Sequence, residues 1–290
     1  MLNTFKFYGA NRIFKIPDQS ALIPVSWSHG IIWGEFDPAV LFSKQDSIAS
    51  VHLLANEDEY KMCPFDGKKI ITGLPIIYHL ANASDHHGID RLYVPRHGIS
   101  GEGLVHELDQ LTQNAHKIGA CSVLLAVPDF YQLSKTEDSF VYNGIKFLKG
   151  AHSGDPSSLP RIASIFKSTK IIYTDCLGSH IYYGALFGCS LEVSVDSIEL
   201  MDKSKIARVL KSYPRSHRQI MKEYFLNQGS KLRQLNGFLS LNKTNQFDEA
   251  ARICGLEYHD LSVFNSVKFN LIEVSRYRCN LLFKKIFSKC

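Results

Sequence analysis

Apolar residues fall along the chain in short runs and in helix-spaced sets, and the two patterns alternate most regularly in the second half. Four runs predict buried strands: residues 121–130, 145–150, 170–175 and 190–195. Three sets at helical spacing predict helices: residues 103–119, 156–168 and 180–188. The segment SFVYNG (139–144) predicts a further short helix. This alternating order predicts a parallel sheet with helices on both faces.

Fewer apolar segments lie in the first half. Three of them predict strands: ALIPVSWSHGIIW (21–33), SVHLLAN (50–56) and RLYVP (91–95). A fourth, KIITGLPIIYHLA (69–81), passes from a strand through Gly73 and Pro75 into a helix. Strands that alternate with short helices predict a second wound sheet, although this half is short for a complete domain.

After Asp202 the chain becomes helical and richer in charge. Its predicted helices span residues 205–228, 246–254 and 261–286. We therefore predict an α/β fold with two Rossmann-like domains, at residues 1–97 and 98–202, whose parallel sheets carry helices on both faces. Residues 203–290 are expected to form a helical C-terminal extension.

Composition narrows the class of protein and of partner. With 45% hydrophobic residues the chain is able to bury cores, which argues against disorder. Its net charge of +5 suits a small anionic ligand or an acidic membrane surface and gives little support for nucleic acid. None of the seven cysteines forms a C-x-x-C pair, and no signal-peptide core or long apolar run occurs. A cytoplasmic protein that binds no nucleic acid is expected.

The segment from Tyr173 to Cys189 carries the clearest chemical signal. A strand that ends at Asp175 is followed by a turn and then a helix, which places Gly178, Ser179 and His180 at the helix N-terminus. Unpaired N–H groups and the helix dipole attract anions there, and ligands of wound sheets bind at the carboxyl ends of strands. The alternative is that Ser179 only caps the helix and His180 lies on the surface.

Residues 143–189 resemble the donor-binding half of bacterial surface-polysaccharide glycosyltransferases with the GT-B fold. The resemblance depends on the helix pattern Gly-Ser-x-x-x-Tyr-x-x-x-x-Gly from Gly178 and on the Gly-x-x-x-Asp-Pro type of stretch from Gly150 to Pro156. The first half adds three similar motifs: Ser28-His29-Gly30, Gly73-Leu74-Pro75 to Tyr78, and Val94-Pro95-Arg96-His97. Together they cover roughly residues 20–195.

The resemblance implies transfer of a sugar from a nucleotide-sugar donor to a hydroxyl of a surface polysaccharide or lipid-linked glycan. Residues 178–180 would hold the donor phosphates. Arg96 and His97 follow a strand and would neutralise the leaving diphosphate, or they are solvated charges. His152 and Asp155 would contact the base or ribose, although Asp155 before Pro156 equally suits a helix cap. The N-terminal unit would then be the acceptor side.

Three residues are candidates for the base that accepts the hydroxyl proton. His29 lies between an apolar strand and Gly30, and a histidine titrates near neutral pH. Glu35 and Asp37 follow in the same loop. Each of the three has an ordinary alternative, namely a hydrogen bond to a neighbouring loop for His29 and a solvated or capping carboxylate for the other two.

No metal cofactor is expected. The chain has no D-x-D motif, P-loop or G-x-G-x-x-G, and the cluster of Asp85, His86 and His87 lacks a third spaced ligand and predicts a surface loop. The tail at 275–290 interleaves apolar and basic residues, which suits an interfacial helix on the inner face of an anionic cytoplasmic membrane or a helix docked on the protein. Two rival functions remain: a nucleotide-sugar epimerase or hydrolase, and a non-catalytic nucleotide-binding or assembly module.

Overall fold

The computed structural model describes one parallel and one mostly parallel sheet and the helices that pack against them. The described residues are 25–27, 31, 33–35, 51–80, 88–96, 108–125, 130, 138–151, 155–195, 206–207, 210–211, 215 and 218–258. Within these residues the chain forms nine strands, seven α-helices and two short 3-10 helices. The predicted α/β class with parallel strands is confirmed.

The first sheet has three parallel strands with the second in the middle. They are β1 (Val25–Trp27), β2 (Val51–Leu54) and β3 (Lys68–Ile71). Helix α1 (Glu57–Met62) connects β2 to β3, and it begins where the Asn56 side chain accepts a hydrogen bond from the Glu59 N–H at 3.0 Å. After β3 the chain turns at Gly73, whose φ is +75°, into a 3-10 helix at Pro75–His79.

The second sheet has six strands. They are β4 (Ile89–Val94), β5 (Ser122–Leu125), β6 (Ser139–Tyr142), β7 (Ile145–Lys149), β8 (Thr169–Thr174) and β9 (Ser190–Val193). Their order is β6-β7-β5-β4-β8-β9, and all neighbours are parallel except β6 and β7. The chain runs outward from β4 through β5 to β7 and then returns to β8 on the other side of β4. The order therefore reverses between β4 and β8, where wound sheets bind ligands.

Helices cover both faces of the second sheet. Helix α2 (Leu108–Lys117) packs on the face that carries Tyr93, Val123 and Phe147. The neighbouring residues Leu92, Leu124 and Leu148 point to the opposite face, where α3 (Ser158–Lys167) and α4 (Ser179–Leu186) lie. This alternation along each strand has the period of two that a pleated strand requires.

One predicted helix was wrong, and a second has different bounds from those expected. Residues 139–144 form no helix, because β6 and β7 pair as a hairpin through Asn143 and Gly144. Both turn residues have positive φ, +45° and +78°, which is the geometry of the two-residue turns that Asn-Gly favours. The helix predicted to end at residue 228 ends earlier, as α5 (Arg218–Leu226). A helix that was not predicted, α6 (Gln228–Leu239), follows, and the Asn227 side chain caps it.

The strand predicted at residues 91–95 lies in the second sheet. It is β4, which pairs with β5 and β8, although it precedes the expected domain boundary at residue 97. One cluster of buried side chains joins the two sheets to the C-terminal helices, and it includes Leu53, Ile172 and Phe238. In the part of the chain that the structure describes, no helix is both long and apolar enough to cross a lipid bilayer.

The last described helix, α7 (Lys243–Cys254), ends against the carboxyl edge of the first sheet. The Cys254 carbonyl accepts a hydrogen bond from the Leu74 N–H at 2.8 Å, and the Ile253 carbonyl accepts one from the Asn56 side chain at 2.8 Å. Carbonyls at the end of a helix lack partners within it, and here the sheet edge supplies them. Gly255 follows with a φ of +73°, and a Cβ there would overlap the Ala55 carbonyl oxygen.

Replacing Gly255 with Ala should destabilise the protein strongly. The new Cβ would strain the left-handed backbone and separate α7 from the first sheet, so we expect a loss of about 3 kcal/mol in the free energy of unfolding. Gly237→Ala, within α6 and facing open space, is the matched control and should stabilise by about 0.5–1 kcal/mol. Urea unfolding measures both changes, and equal stability of the two variants would contradict the close approach.

Candidate functional site

Asp175 connects the ends of the two strands at which the sheet order reverses. It follows β8 directly, and its Oδ2 accepts a hydrogen bond from the Tyr93 hydroxyl at 2.6 Å. Its Oδ1 accepts a hydrogen bond from the backbone N–H of Arg96, two residues after β4, at 3.2 Å. Burial and then this contact with Asp175 raise the pKa of Tyr93, so the phenol remains a donor at neutral pH. The carboxylate thereby holds the Arg96 backbone at the carboxyl edge of the second sheet.

The turn after β8 is folded around Thr174. The Thr174 hydroxyl donates to the Val94 carbonyl at 2.7 Å and accepts a hydrogen bond from the Cys176 N–H at 3.2 Å. It also contacts His180 Nε2 at 2.9 Å, which brings the imidazole back over the turn. A Cβ at Gly178 would lie 2.6 Å from His180 Nδ1. A glycine is therefore required at this position for the ring to sit where it does.

The N-terminus of α4 contacts the loop that follows β1 of the first sheet. Gly178 occupies the N-cap position, so Ser179 is the first residue of the helix rather than its cap. The Ser179 Oγ accepts a hydrogen bond from the backbone N–H of Ile31 at 2.9 Å. The helix end that the sequence predicted as an anion site therefore touches the chain segment that follows β1, and the site includes residues from both sheets.

Arg96 and residues 178–180 come together at the edge of β4 and β8, whereas Asp155 does not join them. Asp155 lies beyond β7, where its carboxylate accepts a hydrogen bond from the Ser157 N–H at 2.9 Å and pairs with Arg161 at 2.5 Å. Burial alone would raise the pKa of Asp155, but the hydrogen bond from Arg161 and its charge lower it. The N-cap of α3 is Ser157, so Asp155 fixes the turn before this helix and is not its cap. His29, Asp37, His97 and His152 lie outside the described residues.

Glu35 is held against α6, a helix that the sequence pattern did not reveal. Its backbone N–H donates to Ser230 Oγ at 3.2 Å, and the Gly34 N–H donates to the Gln234 side chain. Gly34 has a φ of +84°, and a Cβ there would lie 2.6 Å from Ser230 Oγ. The Glu35 carboxylate is 83% exposed and lies 3.7 Å from Arg233. The backbone of Gly34 and Glu35 is fixed while the Glu35 carboxylate stays open to solvent.

A cavity of about 620 Å³ opens beside this loop at the carboxyl edge of the first sheet. The loop after β1 contributes Ile31 and Glu35, α1 contributes Asp58, and the C-terminal helices contribute Gln234 and Arg252. Sequence reasoning missed this cavity, because α6 and α7 form one of its walls and no local pattern shows where a distant helix packs. Ile31 belongs both to the cavity wall and to the contact with Ser179.

Cys176 at the switch point is not poised for nucleophilic chemistry. Burial raises the pKa of its thiol to about 12, so the thiolate is scarce at neutral pH. Its sulfur contacts the Thr174 hydroxyl at 3.4 Å and helps to pack the turn. The role of Cys176 is thus in shaping the edge on which Arg96 and α4 meet.

Comparison with known proteins does not identify the chain. No model of a known protein family matches the sequence, and no curated protein matches it either. Among the described residues, no three His, Cys, Asp or Glu side chains are grouped so as to hold a metal ion. The function has to be inferred from the two neighbouring sites.

Lys231, next to the loop that carries Glu35, makes the free energy of unfolding depend on pH. Its side chain is buried, with Nζ 3.9 Å from the centre of the Tyr224 ring, and burial lowers its pKa to about 8. Between pH 8 and pH 10.5, the pKa of a free lysine, the unfolded chain therefore binds more protons at Lys231 than the folded protein does. The contribution of Lys231 to the free energy of unfolding consequently rises with pH over that window.

Replacing Lys231 with Met should abolish this part of the pH dependence. We expect the variant to be more stable than the wild type at pH 7 by up to about 3 kcal/mol, and this advantage should disappear by pH 10.5. Urea unfolding at pH 7, 8, 9 and 10 measures the difference. A difference that does not change with pH would show that Lys231 is charged and solvated in the folded protein.

Proposed function

We propose that the chain is a nucleotide-sugar-dependent glycosyltransferase that moves a sugar onto a hydroxyl of a surface polysaccharide or lipid-linked glycan. One observation carries the proposal. The anion-attracting N-terminus of α4 at the switch point and the cavity of the first sheet share Ile31, which hydrogen-bonds to Ser179 and lines the cavity. A group transfer between two substrates needs two such sites side by side.

The donor diphosphate would bind at the edge formed by β4 and β8. The start of α4 would supply unpaired N–H groups at the carboxyl edge of the second sheet, next to the His180 imidazole. The Arg96 guanidinium would neutralise the charge that develops on the leaving diphosphate, while its backbone stays fixed by Asp175. With these groups in place, the proposed reaction needs no metal ion.

The base would come from the loop after β1. Glu35 supports this role best among the described residues, because its carboxylate is exposed at the cavity while its backbone is fixed by Ser230. An ionised carboxylate accepts the proton of an attacking hydroxyl. His29 and Asp37 of the same loop remain candidates. The two sheets would then correspond to the acceptor and donor units of a GT-B enzyme, in the cytoplasm and next to the membrane if residues 275–290 bind it.

The test of this proposal is nucleotide binding to wild type and to Arg96→Gln. UDP, GDP or CMP should raise the melting temperature of the wild type, since a ligand of the native state stabilises it. Arg96→Gln keeps the backbone contact with Asp175 but loses a charge-assisted contact, so affinity should fall about tenfold to a hundredfold. Lys170→Gln at the opposite end of β8 removes the same charge and should leave affinity unchanged.

Three outcomes would count against the proposal. Equal losses in both variants would mean that only net charge matters and that Arg96 makes no specific contact. Binding that EDTA abolishes and Mn²⁺ restores would contradict the metal-free part of the mechanism. Turnover of a nucleotide sugar that needs no acceptor would favour an epimerase or hydrolase instead of a transferase.

A further inference from the structure

The cavity beside Glu35 has the size and position of a second ligand site. Its volume of about 620 Å³ falls within the range of roughly 300–1,000 Å³ that small-molecule sites occupy. It opens at the carboxyl ends of parallel strands, the edge at which such sheets bind ligands. Its lining combines apolar residues, namely Ile31, Leu74 and Ile253, with hydrogen-bonding side chains. A molecule with both ring C–H faces and hydroxyl groups matches such walls.

The charges of the cavity differ in sign from those of the donor edge. Four carboxylates line it, namely Glu35, Asp58, Glu59 and Glu249, against two cations, Lys61 and Arg252. Arg252 is already neutralised, since it pairs with Glu249 at 2.9 Å and with Asp58 at 3.2 Å. Two further charged residues lie just outside the wall: Arg233 next to Glu35, and Glu57 next to Lys61. The positive charge of Arg233 offsets the negative charge of Glu57. The residues that line the cavity thus carry an excess of two negative charges, which Lys231 beside Gly34 reduces to one at neutral pH.

We propose that this cavity is the acceptor site and that it selects a neutral or amino sugar over an acidic one. The inference rests on the proposed function and adds the chemical class of the acceptor. A carboxylate-bearing sugar would meet an excess of negative charge, whereas an ammonium group would be attracted to it. The same charges keep the anionic donor out of the acceptor cavity and direct it to α4 and Arg96.

Ligand-detected NMR on the full chain tests the selection without a need for catalysis. The probes are the methyl glycosides of glucosamine, glucose and glucuronic acid, measured at low salt with and without nucleotide. We expect the glucosaminide to bind at least about tenfold more tightly than the glucuronide, and this ratio should fall as salt screens the charges. Equal affinities for all three glycosides would overturn the inference.

Two variants connect the binding to this cavity. Asp58→Asn removes one wall charge and should lower the glucosaminide-to-glucuronide ratio about threefold or more, whereas Glu223→Gln on α5, outside the wall, should leave the ratio unchanged. Met62→Trp fills part of the cavity and should abolish glycoside binding while the thermal shift with nucleotide is retained. Glycoside binding that survives Met62→Trp would overturn the site.

The failure of each proposal has its own signature. If a nucleotide stabilises the wild type but none of the three glycosides binds, the acceptor inference is overturned and the proposed function stands. If the glycosides bind with the expected charge preference and no nucleotide stabilises the protein, the cavity is supported as a sugar site and the proposed function is overturned.

Discussion

Gly255, at the end of α7, lies against Ala55 and Gly73 at the carboxyl edge of the first sheet, where no residue with a side chain fits. Hydrogen bonds from Leu74 and Asn56 to the last carbonyls of α7 fix that contact. The three-stranded sheet is small, and its buried face is completed by α7 and α6. Without this docking, the apolar side chains that the described part of the sheet shares with α6 and α7 would be exposed.

The same C-terminal helices determine the geometry of the candidate site. The Gln234 side chain of α6 donates to the Tyr182 hydroxyl of α4 at 3.0 Å and accepts from the Gly34 N–H, so one residue holds both the α4 helix and the loop after β1. Trp33 of that loop stacks on Tyr182 with ring centres 4.6 Å apart. The loop is therefore clamped between the two helices, with Glu35 on its outer side. Two regions of opposite charge, the α4 N-terminus with Arg96 and the acidic cavity, end up next to each other.

The sequence pattern predicted those strands and helices that form from interactions between residues close together in the chain. Four strands of the second half were found within a few residues, because a run such as SVLL is buried on both faces and leaves a continuous apolar pattern. Helix α6 was missed, since it contains Gly229 and Gly237 and its polar residues interrupt the helical period. The hairpin at Asn143-Gly144 was missed although its turn signal was present, because the alternation in its short strand was taken for a helix.

By itself, the sequence determined that a strand, a glycine turn and a helix start follow one another at 169–180, because these elements form from neighbours in the chain. It also brought Arg96 into consideration as a residue at a strand end. Only the tertiary structure decided which residues meet there. Ser179 finds its partner 148 residues away at Ile31, and Glu35 finds its support 195 residues away at Ser230. Contacts at such separations depend on how α4, α6 and α7 pack against both sheets, and packing of that kind leaves no periodic trace in a single sequence.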